Sequence, residues 1–178
     1  MAVANQVLVG MADIQILSGE GNLVCLGLGS CIGLLAYDSS SGVAGMAHIM
    51  LPESFKDKPV EKLGKFANTA FPELIKRMES AGAKPRSLVW AYAGGAQVFK
   101  YGAGNSSDTL DVGRRNTSAV EVELKKLGAR IIASDTGGSS VRTMTFFSET
   151  GEVKVRTVQN GERVLCRLGN QPIMRKAA

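Results

Sequence analysis

Cys31 closes a glycine-spaced apolar run, Leu26-Gly27-Leu28-Gly29-Ser30, and the only histidine of the chain, His48, sits downstream in Ala47-His48-Ile49-Met50-Leu51-Pro52. A thiol becomes a nucleophile as its thiolate, and imidazole is the side chain whose ordinary pKa best suits it to take that proton near neutral pH. Gly29 and Ser30 bring small residues, and hence reachable backbone amides, beside the thiol. Nucleophile, base and amide donors for an oxyanion are what acyl-transfer chemistry at a carbonyl requires. Taken singly, a cysteine in an apolar strand is more often a small core residue, and a lone strand histidine is more often structural. From the residues alone, the catalytic and packing readings both stay open.

The elements that must position the two residues are strands. Ile32 to Tyr37 reads as a buried strand, Asp38-Ser39-Ser40-Ser41-Gly42 as a turn, and Val43 to Met50 as the antiparallel partner. With the turn centred near residue 40, Cys31 and His48 fall almost level across the pair and can touch, unless a bulge shifts the register. Upstream, Gln6 to Leu17 suits one or two strands, and another begins at Leu23 after the turn-forming Ser18 to Asn22.

Pro52 to Pro59 is a polar loop that could border the site. Apolar residues at three- and four-residue steps predict a helix near 61–81, in which Pro72 should cause a kink or break and Ala81-Gly82 the stop. Ser87 to Ala93 is a short strand ending at Gly94-Gly95-Ala96, and Tyr101 to Thr109 a polar loop. Asp111 can cap a second helix to about Leu127, with Val120, Leu124 and Leu127 inward. Arg130 to Ser134 reads as a buried strand, and Thr143 to Ser148, Glu152 to Val158 and Arg163 to Leu168 as hairpin strands turned at Thr150-Gly151 and Asn160-Gly161.

The composition fits one domain. With 178 residues, 44% hydrophobic, 21% charged and 21 glycines, the chain can bury a sizeable core and favours strands over a helical bundle. The longest apolar run, from Val24 to Tyr37, is short for a membrane span and interrupted by glycines, so no membrane insertion is expected. The N-terminus lacks a secretion signal, which makes the cytoplasm the expected compartment. Cys25, Cys31 and Cys166 form no CxxC pair and, with one histidine, no zinc set, so no metal or other cofactor is expected. The net charge of +5 is spread along the chain and aromatics are 6%, which argues against nucleic-acid binding.

Leu26-Gly27-Leu28-Gly29-Ser30-Cys31-Ile32, Ala47-His48-Ile49-Met50-Leu51-Pro52, Val112-Gly113-Arg114-Arg115-Asn116 and Asp135-Thr136-Gly137-Gly138 together resemble the CheD family of chemoreceptor glutamine deamidases, in the right order over nearly the whole chain. The resemblance implies a cysteine hydrolase that converts glutamines on methyl-accepting chemotaxis receptors to glutamate, with glutamate methyl-ester hydrolysis as a second activity. It implies an α+β single domain with α/β/β layers, mostly antiparallel strands and two main helices, spanning residues 1–170, with 171–178 a disordered tail. The partners it implies are receptor cytoplasmic domains and, in some organisms, a CheC-type phosphatase. Cys31 takes the nucleophile's position, His48 the base's, and Gly29 and Ser30 flank the oxyanion position. The third catalytic position, usually a threonine six residues before the nucleophile, falls on Cys25, and Val141-Arg142 stands where the family usually has Gly-Arg. The competing reading is a non-catalytic module that docks on a receptor or phosphatase. Alkylation of Cys31 across pH bears on the choice, because only an enzyme has use for a depressed thiol pKa.

Overall fold

The computed structural model describes residues 5–98 and 111–169. The expected loop at Tyr101 to Thr109 and the tail 171–178 lie outside the described residues. Among the described residues, ten strands form two five-stranded sheets, and two α-helices pack on the outer face of one of them. The first sheet holds β1 (Gln6–Leu8), β3 (Asn22–Leu28), β8 (Arg142–Phe147), β9 (Glu152–Thr157) and β10 (Gly161–Arg167), in that order. The second runs β2 (Ile14–Ser18), β5 (Val43–Ile49), β4 (Ile32–Asp38), β6 (Val89–Gly94) and β7 (Arg130–Thr136). All pairs are antiparallel except β1 with β3 and β6 with β7. The expected α+β architecture with three layers is therefore observed.

The alternation of β4 and β5 explains why they lie at the centre. Ile32, Leu34 and Ala36 of β4, with Ala47 and Ile49 of β5, face the helices; Leu35, Tyr37, Ala44 and Met46 face the other sheet. Buried on both faces, these strands read as continuous apolar runs rather than alternating ones.

Helix α1 (Ala67–Ser80) starts later than expected, after a 3-10 turn at Leu63–Lys65, and continues unbroken through Pro72. An interior proline costs about 3 kcal/mol. Phe71, Leu74 and Met78 are fully buried against the sheet, and each such side chain contributes about 1.5–3 kcal/mol. Packing thus outweighs the lost hydrogen bond. The stop at Ala81-Gly82 is observed, with Gly82 at φ 102°.

Helix α2 (Val112–Lys126) is capped as expected, the Asp111 carboxylate accepting from the Arg114 N–H at 2.9 Å. Val120 and Leu124 point inward, but Leu127 lies just past the helix and is 48% exposed. Another expectation is corrected at β7: it is the edge strand of its sheet, and Ile131 and Ile132 are exposed rather than buried. An apolar run does not reveal whether a strand has neighbours on both sides.

Candidate active site

A turn built on Asp38 sets the register that puts Cys31 and His48 on one face. The Asp38 carboxylate accepts from the Ser40 N–H, the Ser40 and Ser41 hydroxyls and the Lys84 N–H, while its own carbonyl accepts from the Gly42 N–H at 2.9 Å. Burial alone would raise the pKa of this carboxyl, but those donors outweigh it and hold it down at about 2. Asp38 then pairs with Val43, and the ladder places Gly33, not Cys31, directly opposite His48. The expected level pairing is displaced by two residues. Side chains two positions apart on a strand share a face, so Cys31 remains on the same side as His48, as its diagonal neighbour.

Both residues lie between the sheets, at the end where β4 begins. Cys31 is half-buried, just before the first residue of β4, and its side chain packs on the core between the sheets. His48 is only 2% exposed, and among the described residues neither imidazole nitrogen has a hydrogen-bond partner. The segment before β2 wraps the histidine: the His48 N–H donates to the Asp13 carbonyl and the Ala12 N–H to the His48 carbonyl.

The resting charge state follows from burial. Burial lowers the His48 pKa below its ordinary value; the backbone of Val9 works in the opposite direction but is the smaller influence, and the contact falls short of hydrogen-bond geometry. Burial raises the Cys31 pKa, offset in part by the Ser30 hydroxyl, which favours the thiolate. Burial thus favours the neutral thiol and the neutral imidazole. Cys25 is fully buried on β3, and burial, with Cys31 nearby, pushes its thiol up to about 12. Cys166 lies apart on β10, half-buried and raised to about 11.

Gly29 and Ser30 lie in the bend between β3 and β4. Among the described residues, the N–H groups of Ser30 and Cys31 donate to no backbone acceptor, whereas the Gly29 and Cys31 carbonyls accept from Ala96 and Gly95 at 2.7 and 2.9 Å. Gly94, at φ 125°, makes that approach possible, since a Cβ there would run into the Cys31 carbonyl oxygen. The apolar side chains Val98 and Val141 flank Gly29, and Leu26 is exposed nearby on β3. A cleft of about 630 Å³ lined by Gly95, Thr117 and Gly137 does not include Cys31.

Two polar clusters went unassigned by sequence reasoning. Asn116, fully buried on α2, donates from Nδ2 to the Ser30 and Met50 carbonyls, both at 2.8 Å, while its Oδ1 has no partner among the described residues. The signal was the Val112-Gly113-Arg114-Arg115-Asn116 motif, which has no role until the helix is docked. Gly113 allows the docking: a Cβ there would lie 2.6 Å from the Ala96 carbonyl oxygen. The second cluster joins the sheets, Asp135 of β7 receiving Arg142 of β8 at 3.0 Å and Arg163 of β10 at 2.6 Å. Among the described residues no helix is long and apolar enough to cross a membrane.

Comparison with known proteins adds a second line of argument. Residues 50–157 match the model of a family described as CheD chemotactic sensory transduction. A Halalkalibacterium halodurans protein named chemoreceptor glutamine deamidase CheD is 44% identical over 156 residues, covering 87% of this chain and 95% of its own length. A Caldanaerobacter subterraneus protein carrying the name "Probable chemoreceptor glutamine deamidase CheD" is 43% identical over 157 residues, 88% of this chain and 96% of its own. A Clostridium novyi protein of that same name is 41% identical over 161 residues. A match of 157 residues in a chain of 178 necessarily spans Cys31 and His48, which the family model's range does not reach.

Proposed function

The chain belongs to the CheD family, and from that premise we propose that it is a chemoreceptor glutamine deamidase with Cys31 as nucleophile and His48 as base. The observation that carries the reading is the shared face of Cys31 and His48 at the open end of β4, the thiol half-buried and the imidazole enclosed beside it.

Because burial favours the neutral pair, the thiol proton leaves during attack rather than before it. His48 takes that proton as Sγ bonds to the side-chain carbonyl carbon of glutamine, and the carbonyl oxygen becomes an oxyanion. The unengaged N–H groups of Ser30 and Cys31, with Gly29 leaving space beside them, support their role as its donors. The imidazolium returns its proton to the departing nitrogen, ammonia leaves and a thioester remains. Water, losing a proton to His48, then cleaves the thioester to give glutamate and the free thiol. Hydrolysis of a glutamate methyl ester follows the same steps with methanol as leaving group.

Cys25 is a poor third group, because its buried thiol is a weak hydrogen-bonding partner, while the Val9 backbone favours the protonated imidazole without reaching hydrogen-bond geometry. The half-exposed Val98 and Val141 beside Gly29 offer apolar contact to a protein substrate such as a receptor cytoplasmic domain. On this reading the protein works in the cytoplasm, where a CheC-type phosphatase is a second partner. Two observations stand on the side of the docking alternative, the unpartnered imidazole of His48 and the raised thiol pKa of Cys31.

The test is mass spectrometry of a purified receptor cytoplasmic fragment after incubation with the protein and with Cys31→Ala. Conversion of glutamine to glutamate by the first and not the second is expected. Conversion by neither leaves the docking module.

A further inference from the structure

We infer that Asn116 is a positioning residue for this reaction, holding the Ser30–Cys31 peptide so that the Cys31 N–H faces the developing oxyanion. The inference rests on the Cys31–His48 reading above. In a trans peptide the carbonyl and the following N–H point in opposite directions from one plane. Whatever fixes the Ser30 carbonyl therefore aims the Cys31 N–H, and what fixes it is Asn116 Nδ2 at 2.8 Å. The second proton of the same nitrogen goes to the Met50 carbonyl at 2.8 Å, just past the end of β5, two residues after His48.

One side-chain amide thus ties the residue before the nucleophile to the strand that carries the base. The orientation of that amide is not open to exchange: both partners are carbonyl oxygens, so the nitrogen must face them. The support is stiff, because Asn116 is fully buried on a capped helix whose Gly113 lies backbone to backbone against Gly95 and Ala96. Gly95 and Ala96 in turn donate to the Cys31 and Gly29 carbonyls, so the bend carrying Cys31 is held through its carbonyls while its Ser30 and Cys31 N–H groups stay free of backbone acceptors among the described residues.

The full chain is assayed for ammonia release from a glutamine-bearing receptor cytoplasmic fragment, as wild type, Asn116→Asp and Asn116→Ser. Rates are expressed per folded molecule, with the folded fraction read from a urea unfolding curve, so that unfolded protein does not count. Losing an oxyanion donor costs about a hundredfold to a thousandfold, and mis-aiming one costs less. Both variants are expected to lose about thirtyfold or more in kcat, with KM and the alkylation rate of Cys31 within about threefold of wild type. The alkylation rate separates the two roles, because iodoacetamide reacts with the thiolate without an oxyanion. A per-site kcat equal to wild type overturns the inference. So does an alkylation rate that falls in parallel with kcat, which places the defect in the thiol, and so does failure of both variants to fold, which assigns Asn116 to the fold alone. Cys31→Ala separates the two levels: if it still releases ammonia the nucleophile reading fails, and if it is silent while the Asn116 variants are fully active only this inference fails.

Discussion

His48 stands directly across the β4–β5 ladder from Gly33, whose missing side chain leaves room for the opposite sheet. The space is not spare volume. A Cβ on Gly33 would lie 2.9 Å from Leu28 Cδ1, 3.4 Å from Met144 Sδ and 3.6 Å from Cys25 Sγ. The opposite sheet therefore closes tightly over this one position.

Gly33→Ala follows from that contact set. Overfilling a packed core typically costs about 1–3 kcal/mol, and here the strain falls on Leu28, which leads into Gly29-Ser30-Cys31. An unfolding free energy from urea lowered by that amount is expected, with deamidation falling more steeply than the folded fraction. Equal activity per folded molecule would show that the gap only serves packing.

Acid pH should act through His48. Its pKa is depressed in the folded state, so between that value and its ordinary value near 6.5 the unfolded chain binds more protons. The stability from keeping it neutral is fully present above about 6.5 and is lost as pH falls. Urea unfolding at pH 7 and pH 5 is expected to show a loss that His48→Asn does not share. On the catalytic side, kcat/KM should rise with pH to a midpoint below 6.5, since only neutral imidazole can accept the thiol proton. Cys31 alkylation should keep rising above pH 9, because the thiol is raised from its ordinary 9.0.

The hairpin and the shared inward face of Cys31 and His48 were legible in the sequence because both are local: a turn signal between two apolar runs fixes which strands pair and, to within an even shift, which side chains share a face. The two-residue displacement was not legible, since it depends on how Asp38 ties its turn to Ser40, Ser41, Gly42 and the distant Lys84. Asn116 and Val9 escaped for the same reason. A helix amide reaching two loop carbonyls, or a backbone group beside a ring, leaves no periodicity or spacing behind. Pro72 and β7 show the converse limit, where packing overrode a propensity and an apolar run lay on an edge.

The Asp135–Arg142 pair predicts a large stability effect. Arg142 is 7% exposed, and its Nε has no partner among the described residues. Removing the carboxylate would leave a buried guanidinium held only by the Ser140 carbonyl. Breaking such a pair from one side typically costs about 3–5 kcal/mol. Asp135→Ala should approach that figure in urea unfolding, while Arg163→Ala, at the exposed end of the same carboxylate, should cost about 1 kcal/mol or less.

Cys25 supplies the last test, because it occupies the position where the resemblance expects a hydroxyl. A thiol held near 12 and fully enclosed neither ionises nor bonds strongly at working pH, so its present contribution is volume. Cys25→Val, which keeps the site apolar, is expected to retain kcat within about threefold and to shift stability by less than about 1.5 kcal/mol. Cys25→Thr has nearly the same shape but carries a hydroxyl. If that hydroxyl reaches His48 it should raise the imidazole pKa and move the acid limb of kcat/KM to higher pH; if it does not, a buried unpaired hydroxyl should cost about 1–3 kcal/mol in stability with the pH profile unchanged. A Cys25→Val protein that folds normally but loses activity a hundredfold would show that the thiol takes part in catalysis.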